Sequence, residues 1–288
     1  MSFKRYLRPA ITIKRASDRQ LYAINTSRKN LIISFREWMS LFRRINSHDL
    51  TTGVLNSSSR DLWVQRVLSE VPARSRLLDA GAGEQKYRSF CSHLEYSSQD
   101  NAAYDGQGDG HGGHVKGWTY GLTDYICDIV SIPAESESFD AILCTEVLEH
   151  LPDPIAAVTE LTRLLRPGGL LLLTAPFCSF THFSPYFYST GFSQNWYLLH
   201  LERLGFTNIE LTPNGNFFEY LAQEIRRLPK ASADYTLHAD SWKVRLAILT
   251  LLIFLKKCSS EDTGSSAYSC YGWHVKAVKG ANAEQDGE

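Results

Sequence analysis

A ligand-binding turn is the first chemical feature of the sequence. The apolar run RLLDA occupies residues 76–80, and Gly81 and Gly83 follow it directly. Glycines at the end of a strand let the backbone approach a ligand closely, and open parallel sheets bind ligands at the carboxyl ends of their strands. The residues predicted to contact a ligand are Asp79, Ala80, Gly81 and Gly83.

The charge of this turn distinguishes between two classes of ligand. A dinucleotide fingerprint requires a third small residue, but Gly83 is followed by Glu84, Gln85 and Lys86. Asp79 and Glu84 would repel a pyrophosphate and attract a cation. S-adenosylmethionine carries a sulfonium and an α-amino group where a dinucleotide carries phosphates, so the turn favours it over NAD.

Four further blocks follow the glycine turn in order. Asp100 follows the second apolar run, 19 residues after Gly81, and CDI at 127–129 follows the third. The later blocks are FDAILCTEVLEHLPDP at 139–154 and LLRPGGLLLLTAP at 164–176. Together with DAGAG, these blocks resemble the class I S-adenosylmethionine-dependent methyltransferases, in the branch called methyltransferase type 11.

The resemblance covers about residues 76–212 and the last strand, and it implies roles for the matching residues. Asp79, Gly81 and Gly83 would hold the amino-acid part of S-adenosylmethionine. Asp100 would bind the ribose hydroxyls. These implied roles make S-adenosyl-L-methionine the expected cofactor and a methyltransferase of class EC 2.1.1 the expected enzyme.

The same resemblance extends the predicted cofactor site to the third and fourth strands. Asp128 would contact the adenine amine, and its neighbour Ile129 would belong to the pocket wall. Thr145 and Glu146 would lie near the methyl group of the cofactor. These four residues complete the predicted set of cofactor-binding residues.

His150 and His182 are the candidate catalytic bases. Methyl transfer from a sulfonium is an in-line displacement, so a base is needed only when the acceptor must lose a proton. His150 lies one helical turn after Glu146, and His182 lies in an aromatic loop at 177–192. Alternatively, His150 only hydrogen-bonds locally and the loop is a hydrophobic lid. Similar proteins carry an acidic residue in this loop that this chain lacks, which argues against a carboxylate-assisted step there.

A metal site is not predicted. The glycine-rich stretch 105–121 contains the potential ligands Asp105, Asp109, His111 and His114. Flexible loops collect such residues, and no fixed ligand spacing is visible. The six cysteines form neither a CxxC pair nor a Cys/His pattern and indicate reduced thiols.

Short apolar runs alternate with helical segments, which is typical of an α/β protein with a parallel sheet. Strands are predicted at 76–80, 93–98, 125–128, 139–144, 169–175, 208–212 and 273–278. Helices are predicted at 30–44, 60–70, 154–165, 194–204 and 242–255. The expected fold is a doubly wound, Rossmann-like, seven-stranded sheet with an N-terminal helical extension and a helical insertion before the last strand.

The charge distribution separates the start of the chain from the remainder. Residues 1–60 contain 12 basic and 3 acidic residues, while the whole chain has a net charge of −1. The expected domains are a basic, mostly helical extension at 1–60, a methyltransferase core at 61–212, a helical insertion at 213–266, the last core strand at 267–280 and a flexible tail at 281–288. The near-zero net charge argues against nucleic-acid binding by the whole surface.

The expected function is methyl transfer to an unidentified acceptor, with a glycan or small-molecule hydroxyl as the candidate. The alternatives are a non-catalytic binding or regulatory protein on a methyltransferase scaffold, and an NAD-dependent oxidoreductase. The basic extension and the 242–255 helix could contact a membrane, although ten consecutive apolar residues favour a core helix. The basic N-terminus lacks the apolar segment of a secretory signal, so a cytoplasmic location is expected. The oligomeric state is left open.

Overall fold

The computed structural model describes residues 51–109, 112–113, 117–237 and 241–281. The predicted helix at 30–44 lies outside the described residues, as do most of the N-terminal extension and the tail from residue 282. His111 and His114 also lie outside them.

Seven strands form one sheet. They are β1 (Arg76–Ala80), β2 (Glu95–Asp100), β3 (Tyr125–Ile126), β4 (Phe139–Thr145), β5 (Leu165–Pro176), β6 (Phe206–Asn214) and β7 (Gly272–Lys279). Their order is β3-β2-β1-β4-β5-β7-β6, and β7 runs antiparallel to β5 and β6 while all other pairs are parallel. The strand order reverses between β1 and β4, where sheets of this kind bind ligands. This topology confirms the predicted doubly wound, Rossmann-like sheet.

Five α-helices are described, and local capping explains where most of them begin. They are α1 (Asn56–Ser69), α2 (Pro154–Leu164), α3 (Gln194–Arg203), α4 (Phe217–Tyr235) and α5 (Trp242–Ser260). The side chains of Asp153, Ser193, Asn216 and Ser241 cap the last four helices by accepting a backbone N–H. Helices α4 and α5 form the expected helical insertion before β7.

The core lies on both faces of the sheet because strand side chains alternate between them. Leu78 and Leu171 pack in the cluster that contains residues of α2 and α3. Leu77 and Leu172 pack in the cluster on the other face, with Trp63 of α1. Helices α4 and α5 share a small separate cluster. None of the described helices combines the length and apolar character needed to cross a bilayer.

Four strands begin at residues other than those predicted, and two of them, β6 and β7, begin only two residues and one residue earlier. Strand β2 is shifted by two residues from the predicted 93–98, so that it begins at Glu95 and Asp100 is its last residue. Strand β5 begins at Leu165, which pairs with Phe139, but the next pairing joins Leu170 to Ala141. The segment RPGG between these pairs bulges out of the ladder, so the predicted turn is retained inside a longer strand.

Candidate functional site

Gly81 and Gly83 form the turn after β1, and both positions require glycine. Their φ angles are +71° and +49°, in the left-handed region. A Cβ at Gly81 would overlap the side chain of Val147, and one at Gly83 would lie 2.8 Å from Trp118. The N–H of Gly83 donates to Oδ2 of Asp100 over 2.9 Å, which joins the turn to the end of β2.

A cleft of about 760 Å³, including its open mouth, lies at the carboxyl ends of β1, β2 and β4. The predicted residues that line it are Gly81, Gly83, Asp100, Asp128, Ile129, Glu146 and His150. Phe183 and Tyr186 of the aromatic loop also line it. Further lining residues that the sequence did not indicate are Gln99, Asn101, Ala103, Tyr104, Trp118, Tyr120, Val147 and Leu151. Trp118 and Tyr120 are aromatic residues within the glycine-rich stretch, and this was the sequence feature that could have indicated that they line the cleft.

Asp79, Ala80 and Thr145 lie behind the cleft lining. Asp79 is 2% exposed, and its Oδ2 accepts a hydrogen bond of 2.8 Å from the hydroxyl of Tyr96. Burial, with a smaller contribution from the charge of Asp100, raises the pKa of Asp79 to about 7. The Asp79 side chain therefore links β1 to β2 through Tyr96 in this structure, and its contact with a cofactor stays a prediction.

Two carboxylates face the cleft from the ends of adjacent strands: Asp100 is the last residue of β2, and Asp128 follows β3. Asp100 Oδ1 accepts from the N–H of Ala102 over 2.9 Å, and Asp128 Oδ1 accepts from the N–H of Val130 over 3.2 Å. These bonds fix the two side chains at one end of the cleft. Their placement suits the recognition of hydroxyl and amine donors on a ligand.

Glu146 is already paired with a cation. Its Oε2 lies 2.5 Å from a guanidinium nitrogen of Arg60, and its Oε1 accepts from the hydroxyl of Thr174 over 2.9 Å. Arg60 belongs to α1 and was not among the predicted site residues, because no local pattern connects it with β4. The ion pair fixes Glu146 in the cleft wall.

The expected helical turn from Glu146 to His150 does not form. Glu146 has a φ of +53°, and a short 3-10 turn at Leu148–His150 follows. This turn directs the side chain of Glu149 into the protein interior, where it is fully buried. Glu149 was not predicted as a site residue, although it completes the motif ExxEH.

His150 and His182 are brought together, with ring centroids 4.7 Å apart. Nδ1 of His150 lies 2.5 Å from the carbonyl of Tyr186, and Nδ1 of His182 lies 2.9 Å from the carbonyl of Phe180. Burial lowers the pKa of His150 to about 4 and also lowers that of His182. Both imidazoles are therefore neutral at pH 7, and only His150 reaches the cleft lining.

A family model described as a methyltransferase domain matches residues 59–229, more than half of the chain. The chain belongs to the class I methyltransferase family. This membership confirms the predicted class I family, while the type 11 branch stays a prediction, and S-adenosylmethionine is confirmed as the cofactor. The matched region extends past residue 212 into α4.

The curated relatives match only a short stretch. The chain is 52% identical over 40 residues to the ubiquinone biosynthesis O-methyltransferase of Xanthomonas oryzae pv. oryzae, which is 14% of this chain and 17% of the relative. It is 43% identical over 51 residues to the enzyme of the same name from Parvibaculum lavamentivorans, 17% of this chain and 20% of the relative. The alignments thus span about a fifth or less of these relatives.

The solved structures to which this chain is similar share little sequence with it. A SAM-dependent methyltransferase from Archaeoglobus fulgidus is 14% identical with a TM-score of 0.45, covering 76% of this chain and 92% of that one. Phosphoethanolamine N-methyltransferase 2 of Haemonchus contortus, in complex with S-adenosyl-L-methionine, is 16% identical with a TM-score of 0.42, covering 77% and 52%.

Proposed function

We propose that this chain transfers the methyl group of S-adenosylmethionine to a hydroxyl of a small molecule or glycan. One observation carries the proposal: a glycine turn, two fixed carboxylates and a neutral imidazole line a single cleft at the switch point of the sheet. Such clefts at switch points are where doubly wound sheets bind ligands.

In this proposal the cofactor lies along the cleft with its two ends recognised differently. Gly81 and Gly83 would hold the amino-acid part, and Asp100 and Asp128 would accept hydrogen bonds from the ribose and adenine. Glu146 would face the methyl end. The aromatic side chains that line the cleft would pack against the apolar surfaces of the ligands.

An oxygen acceptor is favoured because the cleft holds a group that can accept its proton. A hydroxyl is a weak nucleophile unless it loses its proton as the methyl group arrives. His150 is neutral at pH 7 and lines the cleft, and its Nε2 can accept a proton as long as no cation occupies that atom. The ring of His182 lies 4.7 Å from that of His150. The short similarity to enzymes named O-methyltransferases supports the same acceptor class.

Calorimetric titration with S-adenosylmethionine, S-adenosylhomocysteine and NAD tests the cofactor part of the proposal. We expect saturable binding of both adenosyl ligands, with no binding of NAD. Asp100→Asn should weaken binding about tenfold, because a ligand hydroxyl loses a charged hydrogen-bond acceptor worth about 1.5 kcal/mol. Glu135→Gln is the matched control, since Glu135 is exposed at the opposite end of the strands. Binding of NAD alone would overturn the proposal.

A non-catalytic binding protein is the second candidate, favoured by the lack of any acidic residue in the aromatic loop 177–192. The two candidates differ in turnover. Production of S-adenosylhomocysteine from a panel of phenolic and sugar hydroxyl acceptors would support the enzyme. Tight cofactor binding with no product from any acceptor would favour the binding protein.

We also propose peripheral contact with an anionic membrane surface through α5. Leu251 and Phe254 are 46% and 60% exposed, and their helix packs through Leu252 and Leu255 on the adjacent face. The exposed Lys243 and the positive charge of Lys257 lie at the two ends of the same helix. Apolar side chains flanked by lysines are typical of helices that bind anionic lipid surfaces.

Vesicle co-sedimentation tests the membrane proposal. We expect binding to vesicles that contain anionic lipid and a several-fold loss of binding for Phe254→Ser. Leu62→Ser is the control, since Leu62 is an exposed leucine on α1. Equal binding by the two variants, or no binding by the unchanged protein, would overturn this proposal. The cytoplasmic location and the glycan acceptor stay predictions.

A further inference from the structure

Glu149, His150 and His182 form a cluster at the edge of the cleft. Glu149 Oε1 lies 3.7 Å from Nε2 of His150 and 3.9 Å from Nε2 of His182. One donor atom from each of the three residues lies within 4.8 Å of the other two. The cluster thus brings two nitrogen atoms and one carboxylate oxygen around one point.

The carboxylate of Glu149 has no partner in the described part of the chain. It is fully buried, and both of its oxygens lack a hydrogen bond from any described residue. The two distances to the histidines exceed the range of about 2.7–3.2 Å for an N–H···O hydrogen bond. Burial of an unpaired carboxylate is costly, so this arrangement calls for a compensating charge or a proton.

Each histidine is oriented as a metal ligand would be. Because Nδ1 of each ring faces a backbone carbonyl, from Tyr186 or Phe180, Nδ1 carries the ring proton. The Nε2 atoms then present their lone pairs toward Glu149. A backbone carbonyl that fixes the tautomer of a ligating histidine is a recurrent feature of metal sites.

We propose that Glu149, His150 and His182 bind one divalent transition-metal ion of the zinc type. Two imidazoles and one carboxylate are a ligand set for zinc that leaves a further position open, at about 2.0–2.2 Å from each donor. Donors at that distance from a tetrahedral ion lie about 3.4 Å from each other, so each pair in the cluster must approach by about 1.4 Å or less. Nitrogen ligands disfavour magnesium and calcium, which prefer oxygen. Glu146 does not belong to the set, because Arg60 and Thr174 hold its two oxygens.

If the chain methylates a hydroxyl as proposed, the position of this ion would affect the deprotonation of that hydroxyl. His150 contributes to both the cluster and the cleft lining, so the ion would lie at the cleft wall. An acceptor hydroxyl that completed its coordination would lose its proton more readily, since a bound metal lowers the pKa of an oxygen ligand. That proton would pass to solvent water, because the ion would occupy Nε2 of both histidines. The metal site itself does not depend on this step.

Metal titration of untagged full-length protein tests the site without cofactor or acceptor. After removal of metals with a chelator, Zn²⁺ and Mg²⁺ are titrated by calorimetry and Co²⁺ by visible absorption. We expect one Zn²⁺ per chain and a Co²⁺ spectrum typical of nitrogen and oxygen ligands. Glu149→Gln and His182→Ala should each weaken Zn²⁺ binding at least 100-fold. His200→Ala is the control, since His200 lies on α3 outside the cluster.

The outcomes are separable from those of the cofactor titration. Three outcomes would each overturn the proposal: no stoichiometric Zn²⁺ binding by the unchanged protein, Zn²⁺ binding by Glu149→Gln or His182→Ala as tight as that of the unchanged protein, or loss of binding in His200→Ala. Mg²⁺ binding as tight as Zn²⁺ binding would overturn the zinc-type assignment. His182 is the more accessible ligand, so His182→Ala decides the matter if Glu149→Gln fails to fold, as judged by circular dichroism.

Discussion

The buried carboxyl group of Asp79 makes a prediction about stability and pH. Its pKa is 3.8 in an exposed state and about 7 in the folded chain, chiefly because of burial. At about 1.4 kcal/mol per pKa unit, this difference corresponds to about 4 kcal/mol. Because the folded state binds this proton more tightly than the unfolded state, the contribution of Asp79 to stability is lost as the pH rises from about 4 to 7.

Asp79→Asn should therefore stabilise the protein at pH 8 and leave its stability nearly unchanged at pH 4. The asparagine can still accept the hydrogen bond from Tyr96, so the gain at pH 8 approaches about 4 kcal/mol as an upper limit. Other titrating groups, such as Glu149, are present in both proteins and cancel in the difference. The same substitution should weaken S-adenosylmethionine binding if Asp79 holds the cofactor's amino group, so stability and affinity would change in opposite directions.

Urea unfolding of both proteins at pH 4 and pH 8 measures this difference. Asp61→Asn provides a control of opposite sign. Burial opposes ionisation of Asp61, but hydrogen bonds from Lys86 and Tyr87 outweigh it and lower the pKa. Loss of this carboxylate should destabilise the protein at pH 8. Equal stability of Asp79→Asn and the unchanged protein at pH 8 would refute the burial argument.

Two further substitutions test the cleft. Gly81→Ala should cost about 1–3 kcal/mol and weaken S-adenosylhomocysteine binding at least tenfold, because its methyl group would overlap Val147 at a φ of +71°. Gly168→Ala is the matched control, since its φ is +76° but its methyl group meets no described atom within 4 Å; equal losses would contradict the steric argument. Arg60→Met should cost about 1–3 kcal/mol by leaving Glu146 unpaired, less than for a fully buried pair because the two side chains are 17% and 32% exposed. An unchanged midpoint of urea unfolding would contradict this second prediction.

Much of the fold was predictable because its signals are local. Strand β1 has the predicted bounds, and Asp153 followed by Pro154 marks the start of α2 as capping rules require. Helix α4 was missed because Pro229 lies within it and argues against a continuous helix. Its capping residue Asn216 was the local signal that could have shown where it begins.

The cleft was predictable only where it is built from strand ends. Gly81 and Asp100 follow apolar runs whose order fixes their place on the sheet edge. Trp118 reaches the cleft from a glycine-rich segment without periodicity, and Arg60 reaches Glu146 from a helix that precedes the sheet. Contacts between segments so far apart in sequence depend on tertiary packing, and one sequence pattern cannot specify them.

The ExxEH segment shows how one backbone angle decides the chemistry of a motif. A continuous helix would place Glu146, Glu149 and His150 on one face, with both carboxylates near each other. The left-handed φ at Glu146 instead separates them. Glu146 then pairs with Arg60 in the cleft wall, while Glu149 is buried against two imidazoles that are fixed by backbone carbonyls. The first carboxylate is thereby neutralised by the protein itself, and the second is left to a metal ion or a proton, which the Zn²⁺ titration of Glu149→Gln distinguishes.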